Sequence, residues 1–200
     1  MLVAVEHQVD DAPDPTDEKR RLRSELASVA QVGAEETHRV VDNLFEFLSS
    51  RLPGTISTYR ALGDEVALDD LIERLPGWRW VLPRVEDDGS LTWRDARIPL
   101  ERHRWGMEQP AASGPVVPTL EIDVFLVPGL SFDPTGARLG RGGGFYDREL
   151  AAKRGDAVSI GVTVERRVVG RLPTELHDVP VQYLVTEKGA RESTPTRQHG

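Results

Sequence analysis

Apolar positions along the chain fall alternately at helical and at extended spacing. Thr16 is the expected N-cap of a helix through "DEKRRLRSELASVA", with Leu22, Leu26 and Val29 on one face. A second helix is predicted through "EETHRVVDNLFEFLSS", where Val40, Val41, Leu44, Phe45 and Leu48 form the apolar stripe. "GTISTY" is short and β-rich, and "LDDLIERL" returns to helical spacing with Leu68, Leu71, Ile72 and Leu75. "WRWVLPRV" and "SLTWRD" read as strands, the second nearer an edge. "EIDVFLVPG" is the clearest strand, a continuous apolar run that suits a sheet covered on both faces. "FYDRELAAKR" is helical, "AVSIGVTV" a strand and "VQYLVT" the last strand.

Strands alternating with helices predict a single α/β domain with a mostly parallel sheet flanked by helices. The expected boundaries are a flexible acidic arm over 1–15, the domain over 16–188 and a disordered tail over 189–200. A net charge of −8 argues against a general nucleic-acid surface but leaves room for local anion sites. The chain has no cysteine, so disulfides and thiolate metal sites are excluded. It shows no signal-peptide pattern and no run of membrane-spanning length, so a soluble, cytoplasmic protein without a membrane partner is expected.

Candidate chemistry concentrates in "RLGRGGGFYDREL", residues 138–150. Consecutive glycine amides can converge on an anion because no Cβ blocks approach. A helix start behind them adds partial positive charge, and Arg138 and Arg141 add forked donors suited to phosphate. Asp147 beside such a cradle suggests a bridging cation, and Mg²⁺ fits oxygen ligands. No Lys-Ser or Lys-Thr follows the glycines, so this is not a Walker loop, and the dinucleotide fingerprint is incomplete. The plain alternative is a flexible turn with surface arginines. "KRRLR", residues 19–23, reads either as a solvated basic face or as further phosphate ligands. Asp64 and Glu65 in "GDE" suit a turn with a helix cap, or carboxylates aimed at a polar substrate. His177 and Asp178 suit a simple turn or an acid/base pair, and Trp105 a core aromatic or a stacking platform.

Taken in order, "KRRLR", "TYRALGDEV", "WVLPRV", "WGMEQP", "DVFLVPGLSFDPTGARLGRGGGFYDREL" and "LPTELHDVPVQYLVTE" resemble the 5-formyltetrahydrofolate cyclo-ligases over roughly residues 17–187. The resemblance implies a fold of the sugar-phosphate isomerase and CoA-transferase kind. It implies conversion of 5-formyltetrahydrofolate, with or without a polyglutamate tail, with ATP and Mg²⁺ to 5,10-methenyltetrahydrofolate, ADP and phosphate. ATP contacts are implied for Lys19, Arg20, Arg21, Leu22 and Arg23, and for Arg138, Leu139, Gly140, Arg141, Gly142, Gly143, Gly144, Phe145 and Tyr146. Folate contacts are implied for Arg23, Arg60, Glu65 and residues 141–145. Arg141 and Tyr146 are the implied catalytic residues, and Asp147 and Asp178 the implied metal ligands. Phe145 stands where the family commonly has tyrosine, and Arg60 where it is variable and often apolar. The rival readings are a sugar-phosphate isomerase-like enzyme and a non-catalytic folate or nucleotide sensor.

Overall fold

A computed structural model describes residues 14–26, 31–104 and 106–194. It contains helices α1 (Pro15–Leu26), α2 (Ala34–Ser49), α3 (Asp69–Arg74) and α4 (Phe145–Ala152). The strands are β1 (Thr55–Ser57), β2 (Arg79–Val85), β3 (Leu91–Asp95), β4 (Leu100–Arg102), β5 (Glu108–Pro110) and β6 (Val116–Val117). They continue with β7 (Val124–Val127), β8 (Ser131–Phe132), β9 (Arg138–Leu139), β10 (Val158–Val162), β11 (Tyr183–Thr186) and β12 (Gly189–Glu192). Eight of them form one sheet in the order β12-β11-β10-β7-β1-β2-β3-β6. The five central strands, β11, β10, β7, β1 and β2, are mutually parallel, and antiparallel strands close both edges.

β7 lies in the middle and explains its own sequence. Val124 and Leu126 face the layer of α2 and α3, packing with Val40, Val41, Leu44, Leu48 and Leu71. Phe125 and Val127 face the opposite layer with Trp93, Phe132, Leu184 and Leu150 of α4. Side chains alternate between the two faces of a strand, and both faces here are covered, so every position is apolar. α1 stands apart from the sheet. Its Leu22 and Leu26 pack on Ala137, Leu139 and Leu172, which seats the helix beside the loops that follow the strands.

Two sequence expectations are corrected. The cap of α1 is Asp14, whose Oδ1 accepts the Thr16 amide at 2.9 Å, with Pro15 opening the helix. Proline at the first helical position has its φ already set, so the start falls two residues earlier than Thr16. The chain from Gly189 does not go directly into a tail, because Gly189–Glu192 pairs antiparallel with Tyr183–Thr186 as β12. Polar Arg191 and Glu192 concealed that strand; an edge strand needs only one partner and keeps one face wet. The stretch between β7 and the glycines is a small hairpin, β8 with β9. Residues 1–13, Val29, Trp105 and residues 195–200 lie outside the described residues. Among the described residues no helix is long and apolar enough to cross a membrane.

Asp133 organises this hairpin. Its buried carboxylate accepts the amides of Thr135 at 2.8 Å and Ala137 at 3.2 Å through Oδ1, and that of Leu172 at 2.9 Å through Oδ2. Asp133→Ala strands buried amide donors, and the expected loss is about 3 kcal/mol of unfolding free energy, read by urea denaturation.

Candidate functional site

The parallel strands end at one edge of the sheet, and a cleft of about 690 Å³ opens there. Tyr59, Arg60 and Glu65 come from the loop after β1, and Pro83 and Val85 from the end of β2. Pro128 and Gly129 follow β7, and residues from Arg138 to Asp147 form the glycine wall. Glu175, His177 and Asp178 come from the crossover between β10 and β11, and Thr16, Lys19 and Arg23 from α1. Met107, Glu108 and Gln109 reach in from the β4–β5 ribbon. This is where open α/β sheets place ligands.

The glycine wall owes its shape to backbone that other residues resist. Gly142 and Gly144 hold φ of +101° and +62°, and Gly144 is the residue from which α4 starts. A Cβ would be strained at both. α1 is fastened to this wall by Arg23, whose Nε donates to the Gly140 carbonyl at 2.9 Å.

The cations of the cleft are matched by carboxylates from other segments. Lys19, only 3% exposed, donates to Glu175 at 2.6 Å and to Asp178 at 2.5 Å. Arg138 donates to Asp147 Oδ2 at 2.9 Å, and Asp147 Oδ1 accepts the Val179 amide at 3.3 Å. Arg141 pairs with Asp64 and lies 3.5 Å from Glu65. Arg60 pairs with Asp69 and, at 3.3 Å, with Glu108. Ligand atoms of Glu175, His177 and Asp178 lie within 4.8 Å of one another.

Glu65 is the least exposed carboxylate lining the cleft, with its side chain 9% exposed. Oε2 accepts the Leu62 amide at 2.9 Å. Burial raises its pKa above the ordinary glutamate value, against the pull of the Leu62 amide and Arg141. Tyr146 lines the cleft with a buried hydroxyl that has no partner among the described residues. Its ring stands edge-on to Trp93 at 6.1 Å, with the Arg138 guanidinium 5.7 Å from its centre. Burial, reinforced by Glu65, pushes the phenol far up, so it offers a proton donor rather than a base.

Most residues singled out from sequence therefore converge. Lys19, Arg23, Arg60, Glu65, Arg138, Gly140, Arg141, Gly142, Gly143, Gly144, Phe145, Tyr146, Asp147 and Asp178 line one cleft. Four do not. Arg20 and Arg21 are exposed and pair with Asp17 and Glu25 on their own helix. Leu22 and Leu139 pack on each other's cluster beneath the wall. Helical periodicity explains the split: a helix shows one face to the cleft, and residues 19 and 23 are one turn apart. Met107, Gln109, Tyr59 and Glu175 were in quoted motifs without assigned roles. Gln109 Oε1 accepts the Val85 amide at 3.1 Å and pins the ribbon to β2, while the Tyr59 hydroxyl is spent on the Val66 carbonyl at 3.0 Å.

Glycine amides, cations, carboxylates and apolar side chains meet in one cleft at the strand ends, the arrangement of an α/β enzyme site. The model of the 5-formyltetrahydrofolate cyclo-ligase family matches residues 15–187, and the chain belongs to that family. It is similar to the 5-formyltetrahydrofolate cyclo-ligase of Mycolicibacterium smegmatis, with 35% identity over 144 residues, 67% of this chain and 74% of the relative. The cyclo-ligase of Haemophilus influenzae is 28% identical over 176 residues, 82% of this chain and 91% of the relative. The NMR structure of Aquifex aeolicus 5,10-methenyltetrahydrofolate synthetase superposes with a TM-score of 0.74 at 26% identity, covering 93% of this chain and 96% of that one.

Proposed function

We propose that the chain converts 5-formyltetrahydrofolate and ATP to 5,10-methenyltetrahydrofolate, ADP and phosphate. Family membership supports the folate reaction. The observation that carries the ATP part is the single cleft in which the glycine wall, Lys19, Arg23, Arg138 and Arg141 meet Glu65.

A formamide carbonyl is a weak electrophile and its oxygen a poor leaving group. The formyl oxygen attacks the γ-phosphorus, and the bond to the β-γ bridging oxygen breaks to release ADP. The neighbouring folate nitrogen then attacks the activated carbon and gives up its proton, and phosphate leaves as the five-membered ring closes. No covalent nucleophile on the protein is required. Its tasks are alignment of two substrates and stabilisation of charge on the moving phosphoryl group. Arg141 suits the second task, since it reaches from the glycine wall to the Glu65 side. Tyr146 supplies a neutral donor from below. Glu65 accepts hydrogen bonds from the pterin and fixes its orientation, and Arg60 stands at the same side.

Mg²⁺ fits the carboxylates of the cleft: Asp178 stands with Glu175 and His177, and Asp147 accepts the amide of Val179, the residue after Asp178. Asp147 and Asp178 would hold it, directly or through water, and each now faces a cation, Arg138 and Lys19 respectively. When bound, it neutralises phosphate charge beside these carboxylates. The protein's part is to hold both carboxylates in place, with Lys19 and Arg138 as counter-ions.

The direct test is the absorbance of the methenyl product from purified protein with 5-formyltetrahydrofolate, ATP and Mg²⁺. ADP release that does not depend on the formyl folate, with no methenyl product, would sink the reading and favour a different enzyme of this fold. Binding of folate without turnover would favour a sensor. In the same assay, Lys19→Ala combined with Arg23→Ala is expected to raise the KM for ATP at least about tenfold, as loss of charge-assisted hydrogen bonds implies. An unchanged KM for ATP would return α1 to a scaffold role.

A further inference from the structure

Asp64 and Glu65 sit in a turn outside any helix or strand. Arg167 lies behind it, at the end of the short 3-10 turn Glu165–Arg167 that follows β10. It is a charged residue only 3% exposed. Its guanidinium donates to the main-chain carbonyl of Asp64. Its own carbonyl accepts the hydroxyl of buried Ser131 at 2.7 Å, and its amide donates to the Val164 carbonyl at 2.9 Å. One residue thus ties together the segments that follow three parallel strands, β1, β7 and β10. Arg167 is not among the residues that line the cleft.

Burying a guanidinium is unfavourable unless its surroundings repay it. Burial is the largest influence on Arg167 and pulls its pKa down, while Asp64 and Glu65 hold it up and Arg166 and Arg141 oppose them. A carbonyl alone could be satisfied by a neutral amide. The carboxylates of the same two residues meet Arg141 from the glycine wall.

We propose that Arg167 is a positioning residue for the folate: by fixing the Asp64 backbone from behind, it sets where the Glu65 carboxylate stands in the cleft. The inference rests on the assignment of Glu65 to folate binding. It gives a role to a residue one layer behind the cleft surface, and it predicts that the effect passes through Glu65 and not through the nucleotide.

The test is a double-mutant cycle on Arg167→Gln and Glu65→Gln, reading the KM for 5-formyltetrahydrofolate and the KM for ATP in the full-length enzyme. Arg167→Gln alone is expected to raise the folate KM about tenfold, on the scale of a lost charged hydrogen bond, and to move the ATP KM less than about twofold. In the Glu65→Gln background the same change should move the folate KM less than about twofold, because groups acting as one unit are not additive. Arg167→Lys keeps the charge and should recover part of the loss; if Arg167→Gln fails to fold by circular dichroism, the lysine variant carries the cycle. Additive effects, or an equal rise in both KM values, would reduce Arg167 to a structural tie and overturn the inference alone. An unchanged folate KM in Glu65→Gln by itself would overturn the underlying assignment and the inference with it.

Discussion

Glu65→Gln is expected to raise the KM for 5-formyltetrahydrofolate by about tenfold to a hundredfold, leave the KM for ATP in place and keep the protein folded. A charged hydrogen-bond partner lost from a buried site is worth about 1.5–3 kcal/mol, which sets that range. Glutamine preserves the size and one carbonyl acceptor for the Leu62 amide, so the turn survives. Stability should move the other way. Burial raises the folded-state pKa of Glu65, so the folded protein holds this proton more tightly than the unfolded chain does. The carboxylate therefore costs stability at neutral pH, and its contribution becomes more favourable as pH falls from the raised value towards the ordinary one. Removing the charge should leave the unliganded protein no less stable at pH 7, measured by urea denaturation. The same shift predicts that folate binding weakens on acidification at a higher pH than an ordinary glutamate would give, and that Glu65→Gln loses that limb of the profile. A variant that is destabilised and binds both substrates poorly would mark Glu65 as structural.

Asp147→Asn is expected to raise the Mg²⁺ midpoint of the methenyl-forming rate by about tenfold or more at fixed ATP, again the scale of one charged contact. Two contacts converge on this side chain: Arg138 at 2.9 Å and the Val179 amide at 3.3 Å. An amide keeps one acceptor but leaves Arg138, with a side chain only 7% exposed, without its counter-ion. Breaking a buried pair from one side is unfavourable, so some loss of stability accompanies the loss of rate. Asp178→Asn should have the smaller effect. Its Oδ2 position is shared by Lys19 and the Glu175 amide, both of which an amide oxygen still accepts, and Glu175 remains to hold Lys19. A Mg²⁺ titration with urea denaturation alongside separates the roles. Lost stability with a wild-type Mg²⁺ midpoint and rate would make Asp147 only the counter-ion of Arg138.

Local pattern determined much of this protein. Apolar runs of strand length placed β1, β2, β3, β7, β10 and β11, and helical spacing placed α2 and α3, because burial on one or two faces imposes the period directly. The glycines before Phe145 marked a wall whose backbone only glycine tolerates at Gly142 and Gly144. Weakly apolar strands escaped notice: β12, the β4–β5 ribbon and the β8–β9 hairpin are polar or two to four residues long, and although each pairs with its neighbour in the chain, none is long or apolar enough to show a strand period. Tertiary structure alone decided which face of α1 meets the cleft, turning Lys19 and Arg23 inward and leaving Arg20 and Arg21 in solvent. It also brought Asp147 and Asp178, 31 positions apart in sequence, to one cleft, and put Arg167 behind Glu65 across a gap of a hundred residues. Those relations follow from strand order and crossover, which join residues by where strands end in space, and spacing along the chain carries no record of that.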